Sequence, residues 1–192
     1  MLYHLRGNLE RKTPTYVVMD CGGVGYLIHI SLTTFGQLPD LGKAELLLHP
    51  VYREDAQLLF GFATELERDV FVLLNSVSGV GASTARVILS TLRPEEALSV
   101  IANGDSGSLQ RIKGIGAKTA QRIIIDIRDK AIKLGALAPM AAGGTSARQE
   151  ALEALLVLGF ARVAVEKVLA ALSAEELEYS LEDLIKRALA RL

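Results

Sequence analysis

Leu74-Asn75-Ser76-Val77-Ser78-Gly79-Val80-Gly81-Ala82-Ser83-Thr84-Ala85-Arg86-Val87-Ile88-Leu89 is answered 35 positions later by Leu109-Gln110-Arg111-Ile112-Lys113-Gly114-Ile115-Gly116-Ala117-Lys118-Thr119-Ala120-Gln121-Arg122-Ile123-Ile124. Each copy is an apolar helix end, a Gly-aliphatic-Gly turn and a second helix. Such a repeat is read before any single motif. A glycine pair lets the backbone turn through φ > 0 and removes two Cβ atoms from the path of an approaching group. The turn opens a helix whose first N–H groups have no acceptor inside that helix. Those donors, with the positive end of the helix dipole, make an anion site. Val80 and Ile115 are expected to tuck inward and hold the turns. Two such turns can grip two backbone phosphates without reading a base. One copy alone reads equally well as a corner used only for packing; two matched copies favour the phosphate reading. The candidate contacts are Gly79, Val80, Gly81, Ser83 and Thr84 in the first copy. In the second they are Gly114, Ile115, Gly116, Lys118, Thr119 and Arg122.

Charge placement supports this. The 192-residue chain has a net charge of −1, which by itself argues against a polyanion partner. Divided, residues 1–64 hold 5 basic and 6 acidic side chains, 65–135 hold 10 and 8, and 136–192 hold 6 and 8. Between 109 and 133 the count is 7 to 2. Positive charge is gathered at the second turn, and placement rather than total decides partner choice. The plainer alternative is a solvated helix face.

Bulk composition bounds the rest. Half the residues are hydrophobic and 22% are charged, as in a globular protein. No apolar run approaches the roughly 20 residues of a membrane helix, and the N-terminus lacks a signal-peptide core. The single Cys21 excludes an internal disulfide and fits a reducing cytoplasm. One Cys and three scattered His offer no structural zinc spacing, so no metal is expected.

Residues 1–63 read as five short strands. Tyr16 to Cys21 and Val24 to Ile30 flank Gly22-Gly23, a hairpin signal. Leu2 to Glu10 alternates weakly before them. Ser31 to Leu38 reads as a short helix capped by Ser31 and stopped by Pro39. Ala44 to His49 and Gln57 to Phe62 flank Arg53-Glu54-Asp55. This order suggests a small closed barrel of the OB type, with a split barrel or small sandwich still open. Glu54-Asp55 falls near the tip of the last hairpin, where a solvated acidic pair is common.

Residues 64–134 carry the duplicated helical unit. Helices are expected over Glu65 to Leu74, Ala82 to Leu89, from Pro94 onward, and Lys118 to Lys133. Pro94 suits a first helical position, and Asn103-Gly104-Asp105 breaks the pattern. Gly116-Ala117-Lys118-Thr119 resembles the end of a P-loop but has Ala117 where glycine must precede the lysine, and no strand leads into it. Gly114-x-Gly116 is no dinucleotide fingerprint, because Thr119 fills the third glycine position outside any βαβ unit. Nucleotide binding by this chain is therefore rejected.

Residues 135–146 are small, uncharged and Gly/Pro-containing, and read as a flexible linker. Ser146-Ala147-Arg148-Gln149 has capping-box form. Three amphipathic helices follow within 147–192: Ala147 to Leu158, Val163 to Leu172 and Leu181 to Leu192, with Ser173 and Ser180 as plausible caps. So small a core is marginal. A tethered bundle of this size either binds another protein or docks back on the body; Leu158-Gly159-Phe160 is its candidate contact.

Taken together, Gly22-Gly23-Val24-Gly25-Tyr26, Arg53-Glu54-Asp55-Ala56-Gln57-Leu58-Leu59-Phe60-Gly61-Phe62 and the two Gly-aliphatic-Gly turns resemble the RuvA family over the whole chain. These are the junction-binding subunits of bacterial branch-migration complexes. The resemblance implies a multi-domain α+β protein: an OB-type barrel (1–63), a tandem helix-hairpin-helix domain (64–134), a linker (135–146) and a UBA-like three-helix domain (147–192). It implies a homotetramer, two tetramers meeting face to face being a further option, that binds four-way (Holliday) junctions in recombination, repair and the SOS response. Glu54 and Asp55 would form an acidic pin at the tetramer centre. The C-terminal domain would engage a RuvB-type hexameric ATPase, which alone uses ATP and Mg, and a RuvC-type resolvase would follow. The protein would be cytoplasmic, on the nucleoid when bound to DNA, with no catalytic site, metal or cofactor of its own. Where this chain has Ser83 the family pattern often has lysine, so the first hairpin is expected to lean on backbone donors, while Lys118 and Arg122 keep the charges of the second.

Other classes compete. A base-excision glycosylase would need a carboxylate at a base-sized pocket, for which Asp105 and Asp126 are available. A nuclease would need an acidic metal cluster, for which Glu54-Asp55 is thin. A module that bends or bridges duplex would show no junction preference.

Overall fold

The computed structural model describes residues 2–52, 54, 56–137, 151–152, 154–156, 158–173 and 180–191. Arg53 and Asp55, residues 138–146 of the expected linker, the capping box at Ser146 and the start of the first C-terminal helix lie outside the described residues. Two compact units divide the chain, residues 1–138 and 139–192.

The first unit begins with β1 (His4–Lys12), β2 (Tyr16–Asp20), β3 (Gly25–His29), α1 (Leu32–Gln37), β4 (Gly42–Tyr52) and β5 (Gln57–Phe62). The strands close into a barrel in the order β1-β2-β3-β5-β4. This is the OB-type arrangement, with the small helix between the third and fourth strands. Alternation turns Val17 and Met19 of β2, and Leu46 and Leu48 of β4, into the barrel interior. A register shift between Leu9 and Arg11 bends β1, which is why its alternation is weak in sequence. β4 is longer than expected. Its first half pairs with β1 and its second half with β5, so Pro50 sits where only one neighbour needs an amide donor. The barrel is closed by two parallel pairs, Ile28 with Leu59 and His29 with Phe60. Ser31 caps α1, accepting from the Thr34 amide as expected.

Five helices follow in the same unit: α2 (Glu65–Asn75), α3 (Ala82–Thr91), α4 (Pro94–Ala102), α5 (Ser106–Gln110) and α6 (Ala117–Leu137). Thr64 caps α2, and Pro94 occupies the first turn of α4. Phe60 and Phe62 leave the barrel's own core and pack on Phe71 of α2, with ring centroids 5.1 and 4.8 Å away. The end of β5 is thereby built into the helical core, while Leu9, Val17, Met19, Ile28, Ile30, Leu38, Leu46 and Leu48 form the barrel's own. α6 runs through Leu137, so Gly135, Ala136 and Leu137 are helical rather than part of a linker. The reason lies in packing: Leu134, half-buried, rests on the helical core.

In the second unit, residues 151–152 and 154–156 are helical, followed by α7 (Arg162–Ser173) and α8 (Leu181–Leu189). Ala151, Leu155, Val165, Leu169, Leu172, Leu184 and Ala188 form its core. Ser180 caps α8, accepting from the Asp183 amide, and Ala190 ends that helix. Ser173 is instead the last residue of α7.

Candidate nucleic-acid interface

The backbone hydrogen bonds that close the first glycine turn recur in the second. Val77 N–H donates to the Leu74 carbonyl at 3.1 Å, and Ile112 N–H to that of Leu109 at 3.1 Å. Val80 N–H closes the first turn on Val77 O at 2.9 Å, and Ile115 N–H closes the second on Ile112 O at 3.1 Å. Gly81 O and Gly116 O each accept the first helical bond at 2.9 Å, from Ala85 and Ala120. Gly79 and Gly114 hold φ of 90° and 92°, a conformation other residues rarely adopt. Five matched pairs are buried in one core: Leu74/Leu109, Val77/Ile112, Val80/Ile115, Ala85/Ala120 and Ile88/Ile123. The aliphatic residues thus turn inward as their spacing predicts, and each hairpin is held from within.

This burial corrects part of the contact set. The sequence places Val80 and Ile115 among the ligand contacts, yet their side chains are buried and their amides are spent inside the turn. They support the turns and have no donor left for a ligand. What faces outward is different. Gly81 caps α3 in extended conformation with no side-chain hydrogen bond, so no oxygen competes for the first-turn amides of Ala82, Ser83 and Thr84. Gly116 occupies the same place before α6 and likewise has no side chain to offer. Gly79, Gly81, Gly114, Gly116, Ser83, Lys118 and Arg122 are exposed, while Thr84 and Thr119 are half-buried. Each hairpin presents a glycine-lined helix N-terminus able to hold one anion.

The cations are not confined to their own copy. Arg122 Nη1 of α6 lies 3.3 Å from both Ser78 O and Ser78 Oγ in the first turn. The first hairpin, expected to rely on backbone donors because of Ser83, therefore has a guanidinium alongside it. Sequence reasoning missed Ser78. The available signal was that Arg122 aligns with Val87 in the first copy, so its charge is present in only one repeat.

The remaining candidates separate from this face in chemistry. Glu54 is exposed, in the connection between β4 and β5 beyond the last pair, Tyr52 with Gln57. Asp105 caps α5, with Oδ1 accepting from the Ser108 amide at 3.0 Å and Oδ2 from the Ser108 hydroxyl at 2.6 Å. That hydroxyl bond, followed by the amide bond, holds its carboxyl below the usual range, and both of its oxygens are engaged in the cap. Asp126 is exposed on α6. Among the described residues no three His, Cys, Asp or Glu side chains converge on a point where a metal ion could sit, and no helix is long and apolar enough to cross a membrane. In the second unit, Leu158-Gly159-Phe160 forms a Schellman turn: Gly159 has φ of 95°, Gly159 N–H donates to Leu156 O, and Phe160 N–H donates to Leu155 O. Leu158 is 60% exposed there.

The family models that match the chain follow the same order. They are the RuvA N terminal domain over residues 1–61, the SAM-like helix-hairpin-helix tandem over 71–129 and the RuvA C-terminal domain over 146–192. Curated relatives match from end to end. A protein of Christiangramia forsetii is 46% identical, and one of Flavobacterium psychrophilum 45% identical, each over 193 residues and all of both chains. One of Bacteroides fragilis is 42% identical over 202 residues, again covering both chains fully. All three are named Holliday junction branch migration complex subunit RuvA. With three matched domains in order and full-length relatives well above 30% identity, the chain belongs to the RuvA family.

Proposed function

We propose that this protein is the junction-binding, non-catalytic subunit of a branch-migration machine. It binds four-way DNA junctions irrespective of sequence, as a homotetramer, and recruits a RuvB-type ATPase ring. The observation that carries this reading is the pair of matched hairpins, each ending in a glycine-capped helix N-terminus with free amides. Phosphate contacts fix position and leave the bases unread, which movement along arbitrary DNA requires. Four junction arms present four equivalent groups of phosphates, and a cyclic tetramer matches that symmetry. The amides after Gly81 and Gly116, with Lys118, Arg122 and the hydroxyls of Ser83, Thr84 and Thr119, grip the arms.

Glu54 and Asp55 act at the centre of the assembly. Carboxylates there repel phosphate, disfavour continuous duplex across the plate and hold the exchanging strands apart. Residues 139–192 bind the ATPase, with the Leu158-Gly159-Phe160 turn as part of that contact. ATP and Mg belong to the motor. A RuvC-type resolvase acts on the same junction, and the protein works in the cytoplasm, on the nucleoid when DNA-bound.

The test is the molar mass in solution by light scattering, with and without a four-way junction. A mass of four chains, or of eight on a junction clasped from both faces, is expected. A monomer or dimer on the junction would contradict the reading.

A further inference from the structure

The two hairpins share their internal geometry but differ in what stands behind them. On α3, Arg86, Leu89 and Ser90 fall at i, i+3 and i+4 and so share a face. That face meets the barrel through three polar links. Arg86 Nη1 donates to Thr15 O at 2.9 Å, in the connection between β1 and β2. Thr33 Oγ1 of α1 donates to Leu89 O at 2.7 Å. The Leu32 amide, at the start of α1, donates to Ser90 Oγ at 3.1 Å. Thr15 O also accepts the Ile30 amide at 3.1 Å, so both of its lone pairs are in use. The Arg86 guanidinium is half-buried, and the same Nη1 lies 3.5 Å from His29 Nδ1. The positions 35 residues on are Gln121, Ile124 and Ile125. Gln121 and Ile125, the mates of Arg86 and Ser90, are exposed (79% for Ile125), while Ile124 is half-buried on the helical core, so the polar links of α3 to the barrel have no counterpart on the second hairpin's helix.

We infer that Arg86 is a positioning residue for junction recognition: it fixes the first hairpin's helix to the barrel, while the second hairpin is carried by the helical body alone. This rests on the function proposed above. A single hairpin grips a phosphate wherever it stands. A four-armed junction demands that the hairpins of several subunits engage at once, and such avidity is lost when the geometry between grips is loose. Arg86 faces the barrel rather than the glycine turn, so its effect is on spacing rather than on the phosphate contact.

The experiment compares full-length wild type, Arg86→Ala, Arg86→Lys and Ser90→Ala. Affinity for a four-way junction and for a linear duplex of equal length is measured at one salt concentration, with thermal melts of each protein. For Arg86→Ala, junction affinity should fall by about tenfold or more while duplex affinity stays within roughly twofold. Arg86→Lys should recover part of the loss, since an ammonium can still donate to Thr15 O. Ser90→Ala should move in the same direction by less, and it decides the matter if Arg86→Ala does not fold. Equal losses on junction and duplex would make Arg86 an ordinary DNA-facing cation and overturn the inference. Unchanged junction preference in both Arg86→Ala and Ser90→Ala would overturn it as well. A wild-type protein without junction preference would instead remove the proposed function, and the role of Arg86 with it.

Discussion

Arg122, on the helix that follows the second glycine turn, donates through Nη1 to the carbonyl and the hydroxyl of Ser78 in the first, each at 3.3 Å. The contact runs one way. The repeat mate of Arg122 is Val87 and that of Ser78 is Lys113, so the duplicated fold holds no second copy of it. A guanidinium has five N–H donors in a fixed fork, and Arg122 remains exposed after meeting Ser78. One cation therefore serves both hairpins: it braces the first turn and adds charge where Ser83 adds none.

Arg122→Ala should accordingly do more than Lys118→Ala. Each should lower the salt dependence of DNA binding by about one phosphate contact. Unlike Lys118→Ala, Arg122→Ala should also raise amide hydrogen exchange in the first turn, at Val77 and Val80, whose amides close it. Arg122→Lys should keep the salt slope and restore part of the protection, because both bonds to Ser78 come from one nitrogen and an ammonium can also donate to two oxygens. Exchange in Arg122→Ala identical to that in wild type would show that the Ser78 contact does not order the turn.

The four hairpin glycines should divide into two classes. Gly79 and Gly114 stand at positive φ with open space where a methyl group would be added, so alanine there meets no clash but strains the backbone by about 1–2 kcal/mol. Gly81 and Gly116 have no such φ and equally open surroundings. Alanine at Gly81 or Gly116 should leave the melting temperature nearly unchanged and weaken DNA binding, since its Cβ stands beside the free amides. Melts and binding isotherms of the four variants check this. A stability loss at Gly81 and Gly116 equal to that at Gly79 and Gly114 would refute the division.

Glu67 gives a pH prediction. It is fully buried on α2 and accepts from the hydroxyls of Ser31 and Thr34, the latter at 2.6 Å. Burial raises its pKa above the ordinary glutamate value, against the pull of those two hydroxyls. The folded protein thus holds this proton more tightly than the unfolded chain. The stability it contributes is full below the ordinary glutamate value and is lost as pH rises through the raised one. Glu67→Gln cannot titrate. Denaturant melts from neutral to acidic pH should therefore show wild type gaining stability relative to Glu67→Gln on acidification. A constant difference would mean that Glu67 does not titrate differently on folding.

The tail offers a separate test. Removing residues 139–192, a compact unit in its own right, should spare junction binding and abolish ATPase-driven branch migration by a RuvB-type motor. Lost junction binding in the truncated protein would assign the tail to the DNA-gripping body.

Much of this was legible in the chain because it is local. Glycine spacing, the inward Val80 and Ile115, the caps at Ser31 and Ser180 and the first-turn Pro94 all depend on residues a few positions apart. What escaped is long-range. The parallel closure of β3 on β5 and the full length of β4 depend on partners that periodicity does not name. A buried Glu67 interrupts an apolar pattern, and only Ser31 and Thr34, more than 30 positions upstream, explain it. The contacts of Arg122 with Ser78 and of Arg86 with Thr15 span 44 and 71 positions. The spent amides of Val80 and Ile115 belong to turn geometry, which residue types alone leave open.

Preference for the place where four arms meet is tested by competing a four-way junction against linear duplex of the same length and sequence content. Binding should be far tighter to the junction, and Glu54→Gln with Asp55→Asn should raise duplex binding and narrow the gap. Equal affinity of the wild-type protein for junction and duplex would contradict it.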